Sequence, residues 1–206
     1  MPLLGLINVL FLPAPLVFGS LSISGLMAWR ERHHIDFRNT NYILAAIIPG
    51  SLAGAWLLTS IDPARLGFLF GSVILFAVLI SVLGVHFPLN RVNAAVTGML
   101  AGTMGASTGI GGPVIAILYQ RAAGPVVRST LAFVYTIASV LIVTVLAAFG
   151  RFGLAEAGYG LLLVPGFLLG YLCSRPLMFH FNLGGTRYIV LGVSAVAAVS
   201  LIVSSL

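Results

Sequence analysis

The sequence predicts an all-helical (all-α) integral membrane protein, and three observations carry that prediction. Of 206 residues, 60% are hydrophobic, and mean hydropathy is +1.14. Only 7% are charged, whereas a soluble domain carries about 25%. The apolar residues also fall in runs long enough to cross a bilayer, which takes about 20 residues. This composition excludes an ordinary cytosolic domain and a disordered chain. The net charge is +6, but all ten basic residues are arginines scattered singly, so no basic stripe for a nucleic acid forms.

The elements follow from the apolar runs in order. Residues 2–12 make about half a span and read as a half-hairpin. They lack a basic n-region and a small-residue cleavage site, so they do not read as a signal peptide. Full spans are expected at Pro15 to Trp29, Asn41 to Ser60 and Leu66 to Gly84, then at Ser129 to Phe149, Ala157 to Ser174 and Tyr188 to Leu206. Between the two sets lies a Gly-rich stretch, Val92 to Gln120. All four acids, Glu31, Asp36, Asp62 and Glu156, fall outside the span cores. The single cysteine, Cys173, excludes a disulfide framework and reads as a small buried packing residue. Trp29, Trp56, Tyr42 and Tyr119 are expected at the membrane interfaces.

The chain repeats itself. Ile47-Ile48-Pro49-Gly50-Ser51-Leu52-Ala53-Gly54 parallels Leu163-Val164-Pro165-Gly166-Phe167-Leu168-Leu169-Gly170. Arg65 opens a span as Arg187 does, and Pro2 and Pro113 each precede an apolar half-span. Two repeats are therefore expected: 1–84, a connector at 85–91 placed in the cytoplasm, and 92–206. Arginine placement sets their relation. With the loop Arg30-Glu31-Arg32-His33-His34 inside, a single crossing by 92–120 divides the arginines five to five. A hairpin that enters and returns divides them eight inside to two outside. Positive charge favours the cytoplasmic side, so 92–120 is expected to be re-entrant and the repeats inverted, with about six full transmembrane helices in all.

The most informative segment runs from Gly98 to Pro113. Gly109, Gly111 and Gly112 followed by Pro113 interrupt a helix rather than extend it. Irregular backbone cannot face lipid, so the break must be buried in protein or line a wet cavity. Pro113 suits the first turn of a new half-helix, whose free N–H groups and positive dipole end point back toward the glycines. Ser107 and Thr108 add hydroxyls. Such discontinuous helices hold anionic substrates in transporters. The expected site is Ser107, Thr108, Gly109, Ile110, Gly111, Gly112 and Pro113, joined by Arg128 at the cytoplasmic mouth. Glycines four apart also let helices pack closely. That is the reading for Gly50/Gly54, Gly67/Gly71, Gly98/Gly102, Gly105/Gly109 and Gly166/Gly170.

At these residues the sequence resembles the sulfite exporter TauE/SafE family of membrane permeases. The resemblance is carried by Gly98-x3-Gly102-x2-Gly105-x3-Gly109-Ile110-Gly111-Gly112-Pro113, by Arg128-Ser129-Thr130-Leu131, by the basic loop from Trp29 to Arg38, and by Pro49-Gly50-x3-Gly54. It covers nearly the whole chain. It implies an inner-membrane, multi-pass permease for small anions such as sulfite or sulfonates. Family members usually carry a Gly-rich motif ahead of the position matched by Pro2. The first half-hairpin is therefore expected to be truncated, through either a misassigned start or a reduced relative.

Other candidates are weaker. Ser20 and Ser22 could face the same cavity, although such hydroxyls more often bond back to their own helix. His33 and His34 lack the further ligands a metal needs. No catalytic constellation, acid pair or cofactor motif is visible, so the chain does not read as an enzyme. The expectation is a small-anion permease working by alternating access, whose partners are the anion and the lipid bilayer. A homo-oligomer, a non-transporting membrane subunit or assembly factor, and a small anion channel stay open.

Overall fold

A computed structural model describes residues 13–61, 66–83, 87–119 and 122–177, with further helical positions at 192, 195–196 and 199–200. Among the described residues there are helices and no strand. The elements are α1 (Ala14–Arg30), a short 3-10 turn (Arg32–His34), α2 (Phe37–Ser60), α3 (Leu66–Leu83), α4 (Arg91–Thr108), α5 (Gly112–Tyr119), α6 (Gly124–Ala148) and α7 (Leu154–Leu177). Phe37–Ser60, Gly124–Ala148 and Leu154–Cys173 are long and apolar enough to cross a membrane. The half-hairpin at 2–12 and Asp62 lie outside the described residues, as do the surroundings of Gly67 and most of the last expected span.

The helix starts are written locally. Asp36 caps α2 by accepting from the Arg38 backbone N–H at 3.0 Å. Asn90 caps α4 by accepting from the Asn93 N–H at 2.8 Å. Both satisfy N–H groups that the first helical turn leaves free. Pro15 and Pro125 sit in the first turns of α1 and α6, where a missing N–H costs nothing. Pro49 lies inside α2, which continues through it.

The core contact joins α2 and α4, which run parallel, and glycine makes it. A Cβ placed on Gly102 would lie 2.5 Å from the Ile47 carbonyl oxygen. One on Gly98 would strike the Ile43 carbonyl, and those on Gly50 and Gly54 would strike the carbonyls of Met99 and Thr103. Backbone thus meets backbone in both directions, the close approach that small residues permit in lipid. α1 packs on α6 and α7, and α6 also packs on α2.

Three readings need correction. Gly166 and Gly170 match Gly50 and Gly54 in sequence, yet a Cβ on either would meet no described residue within 4 Å. The motif permits close packing but does not supply the neighbour. Cys173 is exposed rather than buried; among the described residues α7 packs chiefly against α1. Tyr119 is buried rather than interfacial, because its hydroxyl turns inward to Asp36. Trp29, Tyr42 and Trp56 are exposed.

Candidate functional site

The helix breaks where the glycines cluster. α4 ends at Thr108, and Gly109 takes φ +77°, the left-handed conformation that a side chain disfavours. Its N–H donates to the Gly105 carbonyl at 2.9 Å and closes the helix. Ile110 and Gly111 are irregular, and α5 opens at Gly112 with Pro113 next. The chain reverses here, since a Cβ on Gly111 would strike the Ala101 carbonyl, about two turns back from the end of α4.

Both arms of this hairpin lie at the same end of α2. The Arg91 guanidinium at the start of α4 stands 5.5 Å from the ring centroid of Tyr42. At the far end of α5, the Tyr119 hydroxyl donates to Asp36 Oδ2 at 3.5 Å. The eight residues of α5 span about 12 Å, less than half the hydrocarbon core of a bilayer. Gly111 is level with Ala101, and the adjacent Gly102 packs between Ile47 and Ser51, midway along α2. Gly111 therefore sits near the middle of α2.

Gly109, Ile110, Gly111, Gly112 and Pro113 are all half-buried, whereas Ser107 and Thr108 are buried. Gly109 packs against Pro13 and Leu16. Ile110 shares an apolar cluster with Leu75 and Val78 of α3, and Val114 shares one with Met104 and Val73. Apolar side chains of α1 and α3 thus close around the irregular backbone between α4 and α5.

The donors can be counted. Gly109 N–H is used within α4, and Ile110 N–H donates to Thr108 Oγ1 at 3.3 Å. Gly111 N–H finds no acceptor among the described residues, and the N–H groups of Gly112 and Val114 belong to a first helical turn, which leaves them free. The hydroxyls expected to help do not offer their protons. Ser107 donates to the Thr103 carbonyl at 2.7 Å, and Thr108 to the Met104 carbonyl at 2.7 Å. With no water to compete, a short hydroxyl side chain bonds back to its own helix. Ser20 and Ser22 do the same, to Val17 and Gly19.

Arg128 does not join this group. It lies seven residues before Tyr135 on α6, about 10 Å along the axis, and Tyr135 is the residue level with the break. Its Nε stands 3.3 Å from Glu31 Oε2, in a partly exposed ion pair with the α1–α2 loop. Beside it, Thr130 Oγ1 accepts from the Asp36 N–H at 2.9 Å. These contacts tie the start of α6 to the loop.

Sequence reasoning missed Tyr135. Its hydroxyl donates to the Gly112 carbonyl at 2.8 Å and clamps the first turn of α5 to α6. The available signal was a phenol inside an apolar run, since a buried tyrosine hydroxyl needs a partner. Chemically, the site offers amide hydrogens and a positive helix end with no carboxylate beside them among the described residues. Among the described residues no cluster could hold a metal ion. Such a site can bind a small oxyanion reversibly.

A family model described as "Sulfite exporter TauE/SafE" matches residues 1–201. No curated protein and no solved structure matches the chain.

Proposed function

Because the chain belongs to the sulfite exporter TauE/SafE family, a family of membrane transporters, we propose that it is a plasma-membrane permease exporting small anions, with sulfite, sulfonates and related organic anions as its substrate class. The observation that supports this most is the helix break at mid-depth, where Gly111, Gly112 and the first turn of α5 present amide hydrogens in a half-buried setting. The positive end of α5 adds a favourable field for a negative guest. The Gly109–Pro113 segment forms the anion site, and Tyr135 fixes its geometry.

In this reading residues 92–120 are a re-entrant hairpin with both ends in the cytoplasm, and the halves 1–84 and 92–206 are inverted repeats joined by 85–91. Movement of one half against the other exposes the break to alternate sides. No coupling ion is needed for export, since an inside-negative potential drives an anion outward by about 2.3 kcal/mol per charge per 100 mV.

Flux of sulfite from proteoliposomes tests the proposal. Saturable flux is expected, and Gly112→Leu should abolish it, because a Cβ there already lies 3.0 Å from the Tyr135 hydroxyl. Flux unchanged in a folded Gly112→Leu protein would remove the site. Flux that rises without saturating would indicate a channel.

A further inference from the structure

We propose that an open-sided cavity at the α1–α2 corner is a binding site for an anionic phospholipid. The cavity is about 480 Å³ and is lined by Trp29, Arg32, His33, Phe37 and Phe133, among others. Its mouth is basic and its wall is aromatic. The Phe37 and Phe133 rings meet edge to face with centroids 5.6 Å apart. Phe133 lies one turn along α6 from Thr130, the residue bonded to the Asp36 N–H, so the wall continues about 5 Å past the level of the cap.

Charge complementarity decides the occupant. Glu31 and Asp36, the acids nearest the mouth, are both engaged. Glu31 pairs with Arg128, and Asp36 accepts from Arg38 and Asn39. Arg30 donates to the Tyr171 hydroxyl. Arg32 is exposed and makes no hydrogen bond or ion pair among the described residues. A guanidinium so placed matches a phosphate, which it can hold through two N–H groups. A free phosphate would satisfy the mouth and leave the aromatic wall bare, with Trp29 71% and Phe37 56% exposed. A phospholipid satisfies both, with its headgroup phosphate on Arg32 and His33 and its glycerol and first methylenes along Phe37 and Phe133. The start of a membrane-crossing helix is also the depth at which headgroups lie, and basic pockets between such helices favour anionic lipids.

The test is native mass spectrometry of the detergent-purified protein with phosphatidylglycerol, phosphatidylcholine and inorganic phosphate as separate probes. Wild type should retain phosphatidylglycerol about tenfold over phosphatidylcholine, because both offer Arg32 a phosphate but the choline trimethylammonium of the latter meets like charge at the basic mouth. Arg32→Gln should lose that preference, Arg32→Lys should keep most of it, and Arg151→Gln should leave it unchanged. Millimolar inorganic phosphate should not displace the lipid. Equal retention of the two lipids, full preference in Arg32→Gln, or displacement by inorganic phosphate would each overturn the proposal.

Discussion

The hydroxyl of Tyr135 reaches across from α6 and donates to the carbonyl of Gly112 at 2.8 Å. This bond fixes the opening turn of the half-helix at the point where the backbone offers free amide hydrogens. Removing it with Tyr135→Phe keeps the ring and its packing. The expected result is a rise of about three- to tenfold in the KM for sulfite flux, from the roughly 1 kcal/mol of one buried hydrogen bond, with a change of Tm under a few degrees. Concentration-dependent proteoliposome flux and a melting curve measure both. A KM equal to wild type would show that the tyrosine does not position the site.

Identical motifs should respond differently to the same change. Gly54→Leu forces a side chain into the Thr103 carbonyl and should destabilise the protein by more than about 3 kcal/mol. Gly170→Leu meets open space and should shift stability by about 0.5 kcal/mol or less. Thermal melting followed by fluorescence size-exclusion chromatography compares them.

Arg128 should behave as a tether rather than a ligand. The Arg128–Glu31 pair is partly exposed, so a double-mutant cycle with Arg128→Gln and Glu31→Gln should give about 1 kcal/mol or less. The KM for anion flux should stay within about twofold of wild type, since the guanidinium lies about 10 Å along α6 from the break. A tenfold rise in KM would return Arg128 to the binding site.

Cysteine labelling reads the orientation. Cys173 is exposed and must first be replaced by alanine. In that background Gly124→Cys, just past the hairpin, should react with a membrane-impermeant maleimide from the cytoplasmic side. Gly150→Cys, after α6, should react from the opposite side. Gly124→Cys reacting from the periplasmic side, with Gly150→Cys reacting from the cytoplasm, would contradict the re-entrant arrangement.

The helices and the break were legible because both are local. Apolar run length sets a membrane helix, and three glycines with a proline stop one wherever they occur. Gly50 and Gly98 were legible as packing residues for the same reason. What the sequence could not convey were choices between partners distant in the chain. Tyr119 was read as interfacial because nothing near it shows that Asp36, 83 residues earlier, receives its hydroxyl. Tyr135 passed unnoticed because its acceptor is 23 residues away. Ser107 and Thr108 looked like ligand donors, yet the carbonyls one turn back claim their protons. Gly166 repeats Gly50 in motif but has no described helix against it.

The most direct measurement is a sulfite titration of protein carrying ¹⁵N-glycine, followed by amide chemical shifts. The Gly111 and Gly112 resonances should move together and saturate at the concentration that half-saturates flux, while Gly50 and Gly54, locked between helices, stay fixed. Saturable transport with Gly111 and Gly112 unmoved would contradict an anion held by the backbone of the break.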